Sequence, residues 1–246
     1  MKKNGFLMGA FVSTLGIVIC KAMGLIYVIP FYAIIGVQGG ALYSYAYSIY
    51  NMFLNLATSG IPIAMSKVVS EFNELKYYFT KERAFKIGLK IITLLGVLSF
   101  LILFIFAESI ATAILGDVEG GNTIEDVTRV IRIISTAILV VPFLSVSKGY
   151  LQGHKIINVS SVSQIIEQVI RIAIILIGSY LGVKVLNLSM RNTIGIAVFS
   201  AFVAGLSAML YIFHVMRKHK DELGLEKEYK KDCGKYSCVW LQMLPQ

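Results

Sequence analysis

Six long stretches of the chain are almost wholly apolar, at residues 6–35, 41–69, 86–107, 125–148, 157–182 and 191–216. A helix needs roughly 20 such residues to cross a bilayer. In hydrocarbon every backbone N–H and C=O must find its partner inside the segment, so the pattern predicts an all-α polytopic membrane protein, a six-helix transmembrane bundle. The second stretch is the least apolar; Gly39-Gly40 is predicted to open it and Pro62 to kink it or end its regular part. The first begins with the basic residues and apolar run of a signal peptide. No small-residue cleavage site follows and the apolar run continues to Ile35, so an uncleaved span is expected.

Composition agrees with the pattern: 57% of the 246 residues are hydrophobic, 15% are charged and mean hydropathy is +0.74. A soluble domain carries roughly 25% charge. The formal charge of +9 sits mostly in the connections, which argues for membrane orientation and against nucleic acid as a partner. Lys2 and Lys3, the cluster from Lys76 to Lys90, Lys148 with Lys155, and Arg217 with Lys218 and Lys220 all fall on one side. The opposite connections are GVQGG, the acidic ESIATAILGDVEGGN, and GVKVLNLSMRN with two basic residues. Short basic loops stay cytoplasmic, so a multi-pass protein of the cytoplasmic membrane with both ends inside is expected. Residues 217–246 read as a charged cytoplasmic tail leading into the truncated start of a second membrane unit.

Polar groups inside the spans carry the candidate chemistry. Ser44, Ser48, Asn51, Asn55 and Ser59 recur at steps of four and three, one face of a helix, beside Tyr43, Tyr47 and Tyr50. Such a stripe serves either helix–helix hydrogen bonding or the lining of a wet cavity. Lys21 lies midway along the first span, Arg129 and Arg132 share a face of the fourth, and Glu167 and Arg171 stand one turn apart in the fifth. Ion pairing within one turn, carbonyl contacts or lipid headgroups would account for each group singly. Together, four cations and one carboxylate leave a positive surplus suited to a phosphate or diphosphate, onto which arginine can fork.

Motifs for catalysis are missing from the sequence. GDVEGGN lacks the Gly-Lys-Ser/Thr ending of a phosphate-binding loop, no nucleophile stands in a recognisable base and acid set, and no paired histidines are available for a metal. His154, His214 and His219 fall near predicted helix ends and are expected to be solvated; Cys20, Cys233 and Cys238 form no disulfide framework or zinc spacing. Transport without a cofactor is expected rather than an enzyme.

The runs ATSGIPIAMSKVVSEF (57–72) and SKGYLQGHKIINVSSVSQIIEQVIRI (147–172) resemble the polysaccharide-transporter, stage V sporulation protein B-like branch of the multidrug/oligosaccharidyl-lipid/polysaccharide flippase superfamily. Gly149-Tyr150, Gln152-Gly153, Ser163-Gln164, Glu167-Gln168 and Arg171 carry the likeness most specifically; Lys148 and Val159 stand where the family commonly has Arg and Pro. The resemblance implies one lobe of a two-lobed, MATE-like flippase, the amino-terminal half, with a second lobe missing from this chain. It also implies that Lys21 and the Ser44–Asn55 stripe face a central cavity. The implied substrate is a polyprenyl-diphosphate-linked oligosaccharide or a peptidoglycan precursor such as lipid II, moved by alternating access with its head among Lys21, Arg129, Arg132 and Arg171. Competing readings are a cation-coupled multidrug extrusion transporter, a membrane-embedded lipid-phosphate enzyme and a scaffold of a cell-wall or spore-coat assembly.

Overall fold

The computed structural model describes residues 3–58, 60–116 and 121–218. Of the expected tail, Arg217 and Lys218 end the last helix, while residues 219–246, with His219, Cys233 and Cys238, lie outside the described residues, as do Lys2, Ser59 and part of the acidic connection. The helices are α1 (Lys3–Ile26), α2 (Val28–Thr58), α3 (Ile61–Glu74), α4 (Tyr78–Ile105), α5 (Ala107–Leu115), α6 (Ile124–Ser135), α7 (Val141–Gly153), α8 (Ile157–Tyr180) and α9 (Met190–Lys218). A 3-10 turn at Thr136–Leu139 joins α6 to α7, and a π turn at Leu181–Val185 extends α8. Among the described residues there is no strand, and the architecture is the all-α membrane bundle that the apolar pattern predicts.

Among the described residues five segments are long and apolar enough to cross a membrane, and the first, Thr14–Glu74, has 61 residues. It folds back on itself. Gly36, inside α2, has φ 68° and ψ −173°, a conformation that essentially only glycine adopts. The Tyr27 and Tyr43 hydroxyls are 3.5 Å apart, and Tyr32 reaches Ser44 Oγ at 3.1 Å. In an unbroken helix sixteen residues would span about 24 Å. The reversal is therefore at Gly36 and not at Gly39-Gly40, which is helical and packs against Tyr32 and Met190. The second expected break is where the residues put it: α2 stops at Thr58 and α3 starts at Ile61 with Pro62 in its first turn, where the missing N–H is not needed.

Lipid gives little hydrophobic drive between helices, so close backbone approach holds the bundle. A Cβ at Gly149 would lie 2.5 Å from the Pro62 carbonyl oxygen, so α7 and α3 touch backbone to backbone there. Helix α9 buries Ala197, Ala201, Ala204 and Ala208 completely, whereas Leu94, Leu98, Leu101 and Ile105 of α4 remain exposed as an apolar belt. At one end Lys155 pairs with Glu74 at 3.3 Å. At the other, Gln38 Nε2 donates to Gly121 O (2.8 Å), Asn122 Nδ2 donates to Gln38 O (3.0 Å), and Arg191 pairs with Glu125 at 2.7 Å. One of the two basic residues that disturbed the loop count is thus matched by acid.

Candidate functional site

Two helices bring three charges together. Contact with α3 fixes α7 and with it Lys148; α8 carries Glu167 and Arg171 on one face, a turn apart. Glu167 Oε1 accepts from Arg171 at 2.7 Å while its Oε2 accepts from Lys148 at 3.2 Å. The three side chains are only 14–15% exposed. Arg171 stands 14 residues beyond the start of α8, about 21 Å along the helix and so near mid-depth. Its second nitrogen donates to Tyr47 Oη at 3.0 Å, and its Nε is buried with no partner. One carboxylate is shared by two cations, so the cluster keeps a net positive charge.

A cavity of about 420 Å³ opens beside this cluster, lined by Lys148, Gln152, Ser160, Gln164, Glu167 and, from α1, Ile17. Gln152 Nε2 donates to Ser160 Oγ at 3.0 Å. Lys21 is exposed one turn beyond Ile17, and no described residue partners it. The fold-back at Gly36 makes a second cavity of about 200 Å³, lined by Tyr27, Tyr32, Tyr43, Ser44, Tyr47, Ser48 and Asn51 among others. Tyr43 and Tyr47 stack with ring centres 5.3 Å apart.

The expected gathering of four cations is not what the structure brings together. Arg129 and Arg132 are exposed on α6, because Val127, Val130, Ile131 and Ile134 take the inner face of that helix. Arg132 lies 5.7 Å from the ring centre of the half-exposed Phe104 and contacts neither Lys148 nor Arg171. Asn55 is exposed and lines neither cavity. The charge that belongs with Arg171 is instead Lys148, which the loop count assigns to a flank of the fourth span. The structure places it five residues inside the end of α7, which the apolar pattern does not reveal. Tyr47 was visible on its helical face, but only the fold shows that it meets Arg171. His154 also differs from expectation: its ring centre is 4.8 Å from that of Tyr150, Nε2 is buried without a partner, and burial with nearby Lys81 lowers its pKa to about 4. His214 is exposed, as expected.

Comparison with known proteins gives a consistent result. A family model described as polysaccharide biosynthesis protein matches residues 6–235. The chain is 38% identical over 218 residues to the lipid II flippase MurJ of Bacillus subtilis (strain 168), covering 88% of this chain and 40% of that protein. It is 26% identical over 232 residues to stage V sporulation protein B of the same organism, covering 93% and 42%. Among solved structures, a MOP superfamily transporter from Pyrococcus furiosus superposes with a TM-score of 0.67 at 17% identity, over 84% of this chain and 46% of that one. A multidrug resistance MATE family transporter in an inward-facing conformation gives 0.66 at 18% identity, over 87% and 47%. These structural matches show a shared fold. The chain spans about two-fifths of the length of the curated relatives it matches and just under half of the solved transporters.

Proposed function

The chain belongs to the polysaccharide biosynthesis protein family, and from that premise we propose that it forms one lobe of a flippase for a lipid-linked anionic glycan of the polyprenyl-diphosphate type. The observation that carries the reading is the sharing of Glu167 between Lys148 and Arg171 at membrane depth. Ionisable groups are expensive there and are found where a substrate path or a pairing repays them. A pairing alone needs one cation per carboxylate. The second cation, beside a cavity of about 420 Å³ whose lining includes Lys148, Gln152, Ser160 and Gln164, suits a ligand that is itself anionic.

In this mechanism Glu167 keeps the two cations in place when the site is empty. A diphosphate, with more charge and more acceptor oxygens than one carboxylate, draws the Lys148 ammonium and the Arg171 guanidinium onto itself. The lipid tail stays at the helix margin. Lys21, on the rim contributed by α1, meets the head on entry; Arg129 and Arg132, facing outward, act at the membrane surface. Rocking against a second lobe then exposes the head on the other side, driven by membrane potential or an ion gradient. The end with Glu74 and Lys155 is cytoplasmic in this reading, as the basic loops suggest.

Reconstitution in vesicles of a two-lobed protein that contains this lobe tests the reading with a fluorescent disaccharide-bearing polyprenyl diphosphate. Lys148→Gln and Arg171→Gln each leave Glu167 with one cation, so folding is kept, and each is expected to slow translocation at least about tenfold, the effect of losing about 1.4 kcal/mol of anion binding. Wild-type rates in both variants would remove the cluster from the mechanism.

A further inference from the structure

We infer that the second cavity, formed where α2 folds back at Gly36, is a carbohydrate subsite for an uncharged sugar ring. The inference rests on the reading of the protein as a carrier of lipid-linked glycan, and it assigns the sugar a place apart from the phosphate. Its lining is a set of tyrosines with Ser44, Ser48 and Asn51, and it contains no charged side chain. Tyrosine rings offer apolar faces against which the C–H face of a sugar lies, while hydroxyl and amide groups donate and accept as sugar hydroxyls do. The volume of about 200 Å³ equals roughly seven waters, which is room for one ring and not for an extended head.

Hydrogen bonding separates this lining from ordinary helix serines. Ser147, Ser163, Ser200 and Ser207 each return their hydroxyl to a carbonyl three or four residues back on their own helix. Ser48 and Asn51 are exposed and make no hydrogen bond within the described residues, so their donors and acceptors are open to a ligand. Polar groups left unpaired on a membrane-length helix are costly against lipid, which places this face against water or a polar ligand. Tyr47 links this cavity to the charged cluster. Its oxygen accepts from Arg171 at 3.0 Å, which leaves its O–H free to donate, and its ring stacks on Tyr43 in the sugar cavity. A phosphate near Arg171 thereby has its first sugar within reach of Tyr47, Ser48 and Asn51.

Binding to the protein in nanodiscs, measured with two probes, tests the subsite: a bare polyprenyl diphosphate and the same lipid carrying a hexosamine disaccharide. The double variant Ser48→Ala/Asn51→Ala uses a good helix former at two exposed positions, so the fold is not at stake. It is expected to lose about tenfold in affinity for the sugar-bearing lipid, as two or more hydrogen bonds would give, and less than about twofold for the bare lipid. Equal loss on both probes, no loss on either, or an unmodified protein that does not distinguish the two lipids would overturn the subsite. Failure of the anion site reads differently. Lys148→Gln would then leave the bare lipid's affinity unchanged while the Ser48/Asn51 dependence of the sugar-bearing lipid persisted, which still supports the subsite.

Discussion

Two sets of cations lie within the membrane-length helices, and they differ in what surrounds them. Arg171 and Lys148 share Glu167, are largely buried, and Arg171 also holds Tyr47. Arg129 and Arg132 are exposed on α6, with one aromatic ring near Arg132 and, among the described residues, no ion pair to either. The difference follows from which helix face each set occupies. On α6 the apolar side chains take the inner face and send the arginines out, whereas α8 turns its charged pair towards α7 and α2. A buried cation needs built partners; an exposed one is satisfied by water or headgroups. Only the first kind makes a preorganised site.

The largest effect should come from Glu167→Gln, which leaves two buried cations facing each other. Breaking such a cluster costs about 3–5 kcal/mol, so detergent-solubilised variant should lose thermal stability and expression markedly, and adding Lys148→Met should recover part of the loss. A smaller loss follows Tyr47→Phe, which keeps the ring and strips one acceptor from Arg171; about 1–3 kcal/mol of stability is expected by thermal melting. His154 offers a third contrast, a half-buried base whose buried Nε2 has no partner. Its folded pKa near 4 lies below the ordinary 6.5, so its stabilising share is complete above pH 6.5 and is lost as pH falls towards 4. Melting temperature should fall across that window, and His154→Gln should flatten the profile. Smallest of all, Arg132→Ala gives up an exposed cation–π contact of about 0.5–1 kcal/mol, and its melting curve should barely move.

Much of the bundle is legible in the chain because lipid allows few backbone solutions. Long apolar runs, Pro62 at a helix start and the one-turn spacing of Glu167 and Arg171 all appear in the structure as local rules require. What is not legible depends on contacts between segments distant in sequence. The turn glycine is Gly36 and not Gly39 or Gly40, because all three satisfy a turn locally and only packing against Tyr32 and Met190 assigns two of them to helix. Lys148 looks like a loop charge because hydropathy does not reveal that α7 continues past it to Gly153. Arg129 and Arg132 have the spacing of a site, but their helix is rotated so that its apolar stripe wins the interior. His154 stands at a helix end, as expected, yet the turn there is packed against Tyr150 rather than open to water.

The central claim, that the inner pair and not the outer pair holds an anionic head, is met most directly by one titration. Affinity for a bare polyprenyl diphosphate would be measured in nanodiscs for unmodified protein, Lys148→Gln, Arg171→Gln and the double variant Arg129→Gln/Arg132→Gln. Losing one partner of a buried charge contact costs about 2–5 kcal/mol, so each inner variant should bind at least about tenfold more weakly. The outer double variant should stay within about twofold. Equal affinity across all four proteins, or a larger loss in the outer variant than in either inner one, would contradict the account.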